Sequence, residues 1–201
     1  MLKAIALNCT LKADAAELSS TDAMIAVLAK AFGEAKVKVT ETVRVAALNI
    51  KPGVTSDEGE GDEWPALRAK ILEHDILIFG GPIWMGQVGS IAKRVMERMD
   101  AFLDEADDKG RMPSYGKVAV AAIVGNEDGA HFSTAQIFQS LNDTGWTIPA
   151  VAACYWVGEA MGSTDFKDLK KTPPKVLETA KMVAGNAAHL AGLLKAKPYP
   201  G

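Results

Sequence analysis

Residues 76–82 read ILIFGGP: four large apolar side chains in a row, then two glycines and a proline. An apolar run this continuous belongs to a strand covered on both faces, and the glycines and proline end it in a turn. The pattern recurs at the N-terminus, where Ala4 to Leu7 give way to polar Asn8, Cys9 and Thr10. It returns at Lys117 to Val124, which stops at Gly125. Strands buried on both faces need helices on both faces, so the segments between these runs decide the architecture.

Those segments are helical by spacing. Ser19, Ser20, Thr21 and Asp22 are all N-cap residue types, and Met24, Ile25, Val27, Leu28, Ala31 and Phe32 follow them at helical intervals. Val37, Val39, Val43 and Val45 alternate with polar residues as a second strand. The loop NIKPGVTSDEGEGDEW, residues 49–64, is rich in acid, proline and glycine and is expected to be a solvated excursion before a helix from about Asp62 to Glu73. In the next helix Ile91, Val95, Met99, Phe102 and Leu103 mark the buried stripe, with Lys93, Arg94, Glu97 and Arg98 on the other face. A helix over about Phe132 to Asn142, a fifth strand over Thr147 to Cys154 and a last helix over about Pro174 to Leu194 complete the chain.

Five β-α units specify a doubly wound five-stranded parallel sheet, because right-handed crossovers distribute the helices over both faces. The expected order is 2-1-3-4-5, which reverses between the first and third strands and opens a ligand crevice at their carboxyl ends. A chain of 201 residues suits one domain, spanning 1–201.

Composition narrows the function. With 22 basic and 25 acidic residues the net charge is −3, which gives no broad cationic face for nucleic acid or anionic lipid. Cys9 and Cys154 form neither a disulfide framework nor a metal-ligand spacing, and two reduced, buried thiols are expected. No signal-peptide core or membrane-spanning run stands in the sequence, so a cytoplasmic protein without membrane insertion is expected.

Three loops meet at the crevice. The first, Asn8 to Thr21, leads into a helix whose free N–H groups and positive dipole end suit a phosphate. Thr10, Lys12, Ser19, Ser20 and Thr21 supply hydroxyls and one cation, although serine caps helices in many settings without a ligand. Neither G-x-G-x-x-G nor G-x-x-x-x-G-K-[ST] is present, so a phosphomonoester fits better than a dinucleotide or a nucleoside triphosphate. The second loop, GGPIWMGQVGS over 80–90, carries Trp84, which either covers a planar ring or packs on the next helix or a partner subunit. The third, GNEDGAH over 125–131, offers flexible backbone and Asn126, which suits the pyrimidine edge of a flavin. Carboxylates beside a reduced flavin disfavour its anion, so Asp128 is expected to cap the following helix and Glu127 to face solvent. His131 is a candidate proton relay or a helix-start hydrogen-bonder.

These segments, ALNCTLK with SSTD, NIKPGVTSDEG, DEWPALRAKILEHDILIFGGPIWMGQVGS and GNEDGAH, resemble the NADPH-dependent FMN reductase and flavodoxin-like NAD(P)H:quinone oxidoreductase group over most of the chain. The resemblance implies a flavodoxin-like fold, FMN as cofactor with NAD(P)H as co-substrate, and a homodimer or homotetramer. It assigns the FMN phosphate to Thr10, Lys12, Ser19, Ser20 and Thr21. The ribityl chain and ring fall to Pro82, Ile83, Trp84, Met85, Gly86, Gln87, Gly125, Asn126 and Gly129. It departs from the compact G-S-x-R-x-x-S phosphate loop of many members, having Asn8, Cys9 and Thr10 with a longer ADAAEL stretch and Lys12 where an arginine is usual. The expected activity is hydride transfer from reduced nicotinamide through FMN to a quinone, flavin or other small acceptor. The rival is a flavodoxin-type electron carrier, a class that is usually more acidic than this chain. A receiver-like signalling domain would need acids where Asn8 and Cys9 stand, and a hydrolase would need a G-x-S-x-G elbow.

Overall fold

A computed structural model describes residues 1–200. Its strands are β1 (Leu2–Asn8), β2 (Val37–Arg44), β3 (Ile76–Trp84), β4 (Gln87–Val88), β5 (Val118–Gly125) and β6 (Ala153–Val157). Its helices are α1 (Ser20–Glu34), α2 (Trp64–Leu72), α3 (Ser90–Met99), α4 (Ala130–Asp143) and α5 (Pro174–Ala196). The parallel strands lie in the order β2-β1-β3-β5-β6, the expected 2-1-3-4-5 arrangement, while the two-residue β4 folds back antiparallel on the end of β3.

Alternate residues of each strand feed opposite cores, as the two-residue period requires. Ala4, Ala6, Ile76, Ile78, Val118 and Val120 pack under α1 and α5. Ile5, Leu7, Leu77, Phe79, Ala119 and Ala121 pack under α2, α3 and α4. Both cysteines are buried and unpaired, and burial pushes the Cys154 thiol up to about 12. No described helix is long and apolar enough to cross a membrane.

Five expectations are corrected. The third strand does not end at Gly80, Gly81 and Pro82: these residues stay paired with Ala122, Ile123 and Val124 of β5, which runs alongside them, and the strand continues to Trp84. The fifth strand begins at Ala153, because Pro149 lacks an N–H and Val151 takes a left-handed φ of 53°, leaving Thr147 only an isolated bridge to Val118. Leu103 is 44% exposed, since the helix tightens into a 3-10 turn over Asp100–Leu103 and carries it off the buried stripe. Arg98 is fully buried and paired with Asp62 at 2.7 Å. The acidic 49–64 loop is therefore no free excursion: Arg98 donates to the carbonyls of Lys51 and Thr55 and draws the loop against α3.

Candidate active site at the strand carboxyl ends

Two clefts have the same volume, about 530 Å³, so size does not select between them. One lies by the amino end of β5 among Met112, Tyr115, Trp146 and Tyr199. The other collects the carboxyl ends of β1, β3, β5 and β6 and the first turn of α1, where a parallel sheet offers helix N–H groups and loop backbone to a ligand. Only the second brings strand carboxyl ends and a helix N-terminus together, so it is the candidate site.

Its wall contains Thr10, Lys12, Ser19, Ser20 and Thr21 from the first loop, Pro82, Ile83 and Trp84 from β3, and Gly125 and Asn126 from the end of β5. Met85, Gly86, Gln87 and Gly129 sit beside it in the hairpin and loop but outside the wall. His131 is also outside, its Nε2 3.0 Å from the Tyr155 hydroxyl. A segment that sequence spacing did not single out closes the far side: Trp156, Met161, Gly162, Asp165, Phe166 and Lys167. The glycines and polar residues following a strand's carboxyl end were its available signal.

The first loop is tightly organised. Ser19 and Asp22 form a reciprocal capping box, which engages the Ser19 hydroxyl together with the Ser19 and Asp22 N–H groups. Ser20 and Thr21 N–H groups are the donors of the first turn that the box leaves over. Asn8 ties β1 to this box, donating to Ser19 Oγ at 3.2 Å and to Asp22 and accepting the Thr10 N–H. The loop's arginine comes from another element: Arg44, at the end of β2, pairs with Asp22 at 2.6 Å and donates to the carbonyls of Lys12, Asp14 and Glu17. Burial alone would push the Asp22 carboxyl up, but Ser19, Asn8 and Arg44 hold it below its ordinary value. Lys12 is paired with Glu17 at 2.5 Å and is 36% exposed, so engaging an anion would exchange one carboxylate for another acceptor.

Glycine sets how closely α1 approaches β3. A Cβ on Gly80 would lie 2.8 Å from Ile25 and 3.1 Å from Thr21, so its absence lets the first turn of α1 settle against β3.

At the other end, Asn126 Nδ2 donates to Asp165 at 2.9 Å and to the Gly162 carbonyl at 3.3 Å. Both partners are acceptors, which fixes the amide's orientation and leaves Oδ1 buried with no donor among the described residues. Trp84 is 52% exposed at the rim, while Trp156 stacks at a tilt on Phe166, centroids 5.4 Å apart. Two expectations for the third loop do not hold. Glu127 turns inward to the β3–β4 hairpin because Met85 and Gly86 present N–H groups to it. Asp128 does not cap α4, since its carboxylate reaches only the Gly129 N–H and Gly129 occupies the N-cap position.

Residues 2–160 match the family model described as NADPH-dependent FMN reductase. An 8-demethyl-8-aminoriboflavin-5'-phosphate synthase of Streptomyces davaonensis is 32% identical, over 98% of this chain and 80% of that protein. A Mycobacterium bovis protein named divalent metal cation transporter MntH is 35% identical over 97% of this chain, which spans only 29% of its length. Among solved structures, RosB with the bound intermediate 8-demethyl-8-formylriboflavin-5'-phosphate superposes with a TM-score of 0.87 at 30% identity, covering 100% of this chain and 83% of that one. A flavone reductase superposes with a TM-score of 0.70 at 15% identity, over 98% of this chain and 66% of that one, a likeness of fold.

Proposed function

Because this chain belongs to the NADPH-dependent FMN reductase family, we propose that it binds FMN in the cleft at the strand carboxyl ends and passes reducing equivalents from NAD(P)H to a small acceptor. The acceptor class is a quinone, a free flavin or another small oxidant. Asn126 carries this reading: it lines the cleft and its buried Oδ1 lacks a donor, which the imide N–H of a flavin ring would supply.

The remaining donors suit FMN from end to end. The N–H groups of Ser20 and Thr21, the Thr10 side chain and the positive end of α1 would hold the phosphate, with Lys12 as a point charge beside it. Pro82, Ile83 and Trp84 would flank the ring, and Phe166 and Trp156 would close the apolar side and exclude water. Bound FMN would supply the two-electron chemistry that no side chain of this wall possesses. Met85, Gly86, Gln87 and Gly129 would then shape the rim. His131, with its Tyr155 partner, is the candidate proton donor for an acceptor extending past the wall. The exposed rim side chains Leu11, Trp84, Met85 and Met161 support a homodimer or homotetramer that covers this mouth.

A second reading draws on the Streptomyces relative, whose name makes a modified flavin phosphate its product: FMN in this chain would be substrate instead of cofactor.

The test is to add FMN to the purified protein and follow the flavin band anaerobically after NADPH. Bleaching within seconds supports the reductase, and binding without bleaching favours an electron carrier. Recovery of a flavin of altered mass after aerobic incubation favours the second reading. Failure to bind FMN overturns the assignment of the cleft.

A further inference from the structure

Glu127 follows Asn126 in the loop after β5, and its side chain lines the cleft while its carboxylate crosses to the β3–β4 hairpin. Oε1 accepts the Met85 N–H and Oε2 the Gly86 N–H, both at 3.0 Å, a two-pronged contact between residues 42 and 41 positions apart. The turn it holds is a strained one. Met85 and Gly86 are the central residues of a two-residue hairpin, with φ of 53° and 76°, and a methionine enters that region only against steric resistance. A further tie joins the same elements, the Val88 N–H donating to Gln136 on α4 at 3.3 Å.

Two consequences follow. The Met85 and Gly86 N–H groups, which border the cleft, are directed to Glu127 and withheld from a ligand. The charge of the wall is also uneven. Lys12 is matched by Glu17, and Lys167 by Asp168 at 2.9 Å with Asp165 at 3.8 Å. Glu127 meets two neutral N–H groups and no cation among the described residues. Its carboxylate points to the hairpin, but Glu127 is part of the wall, and an unmatched negative charge that close to a ring gaining electrons on reduction would favour the neutral oxidised form over the charged reduced one.

We propose that Glu127 is a positioning residue that latches the Met85–Gly86 turn and, through its charge, holds the reduction potential of flavin in this cleft low. The reduced cofactor is thereby made a stronger donor to its acceptor. No bond to Glu127 forms or breaks. The inference rests on the FMN reading above, and its two halves are measured separately.

In the apoprotein, amide hydrogen exchange at Met85 and Gly86 should accelerate at least tenfold in Glu127→Ala. In the FMN-loaded protein, Glu127→Gln should move the midpoint potential positive. A tenfold gain in retention of reduced over oxidised FMN corresponds to about 30 mV for a two-electron couple. Asp128→Asn makes the same charge change one residue on, at an exposed position outside the wall, and should leave the potential where it is. Unchanged exchange in Glu127→Ala overturns the latch. A wild-type potential in Glu127→Gln, or an equal shift in Asp128→Asn, overturns the role of the charge while leaving FMN binding intact. If the wild type takes up no FMN, the reading of the cleft and the potential half fall together, and the exchange experiment alone decides the latch.

Discussion

Arg98 and Asp62 meet at 2.7 Å with neither side chain exposed, and every charged hydrogen-bonding edge has somewhere to go. Arg98 also donates to Lys51 and Thr55 carbonyls, and Asp62 accepts N–H groups from Lys51, Glu58 and Trp64. Removing one partner leaves the other buried and uncompensated, so Arg98→Met should cost about 3–5 kcal/mol in urea denaturation, and Arg98→Met with Asp62→Leu should recover part of it. Burial by itself would raise the Asp62 carboxyl, but Arg98 and the three N–H groups hold it well below the carboxylate range. A depressed native value means that this stabilisation is complete above the unfolded pKa, about 4, and is lost as pH falls from there toward the native one. The stability gap between wild type and Arg98→Met should accordingly narrow below about pH 4. Helical spacing put Arg98 with Lys93, Arg94 and Glu97 on an outward face. Spacing reports which residues share a face, and an aspartate 36 positions earlier had to arrive before that face could bury a charge.

The β3–β4 hairpin and the loop from β5 to α4 work as one unit at the rim of the cleft. Gly129 has φ of 122°, and a Cβ there would lie 2.4 Å from the Gly86 carbonyl oxygen, so neither its dihedral nor its neighbour admits a side chain. Gly129→Ala should destabilise the fold by at least about 2 kcal/mol and weaken FMN uptake, read by thermal denaturation and flavin fluorescence. Gly110→Ala, where φ is also positive at 73° but nothing lies within 4 Å, should cost about 1 kcal/mol and spare uptake. Equal effects would remove the packing argument. Elements whose signal is local were legible: Ile76–Phe79 lie in β3, and the Ser19 cluster caps α1 as its residue types imply, whereas the glycines and proline that signal a turn after Phe79 continue the strand to Trp84 because β5 runs alongside them. β6 was misplaced because its start depends on where the chain regains the sheet beyond Pro149 and Val151, and the apolar content of 147–154 carries no such information.

For the whole molecule, a ligand that binds only the folded state adds stability by mass action. FMN at a hundred times its Kd contributes about 2.7 kcal/mol, which for a chain of this size raises Tm by roughly 5–10 °C. A scan with riboflavin, which has the ring but lacks the phosphate, should give a smaller rise if the α1 terminus holds that group. Equal rises would remove the phosphate from the site. The mouth of the cleft carries Met85 at 87% and Met161 at 95% exposure, so light scattering should report a mass above the 21.3 kDa of one chain. The sequence by itself determined the alternation of buried strands and amphipathic helices, the order of the parallel sheet and the end at which three loops converge, because these follow from hydrophobic period and turn chemistry within short windows. Only the tertiary structure decided which polar groups remain available to a ligand. Ser19 is engaged by its capping box, Lys12 is paired with Glu17, Arg44 arrives from β2, Glu127 turns to the hairpin, and residues 156–167 return to close the far wall. Each of these is a pairing across distance in the chain, and a hydrogen bond or charge is free or engaged only once the partner that folding brings to it is fixed.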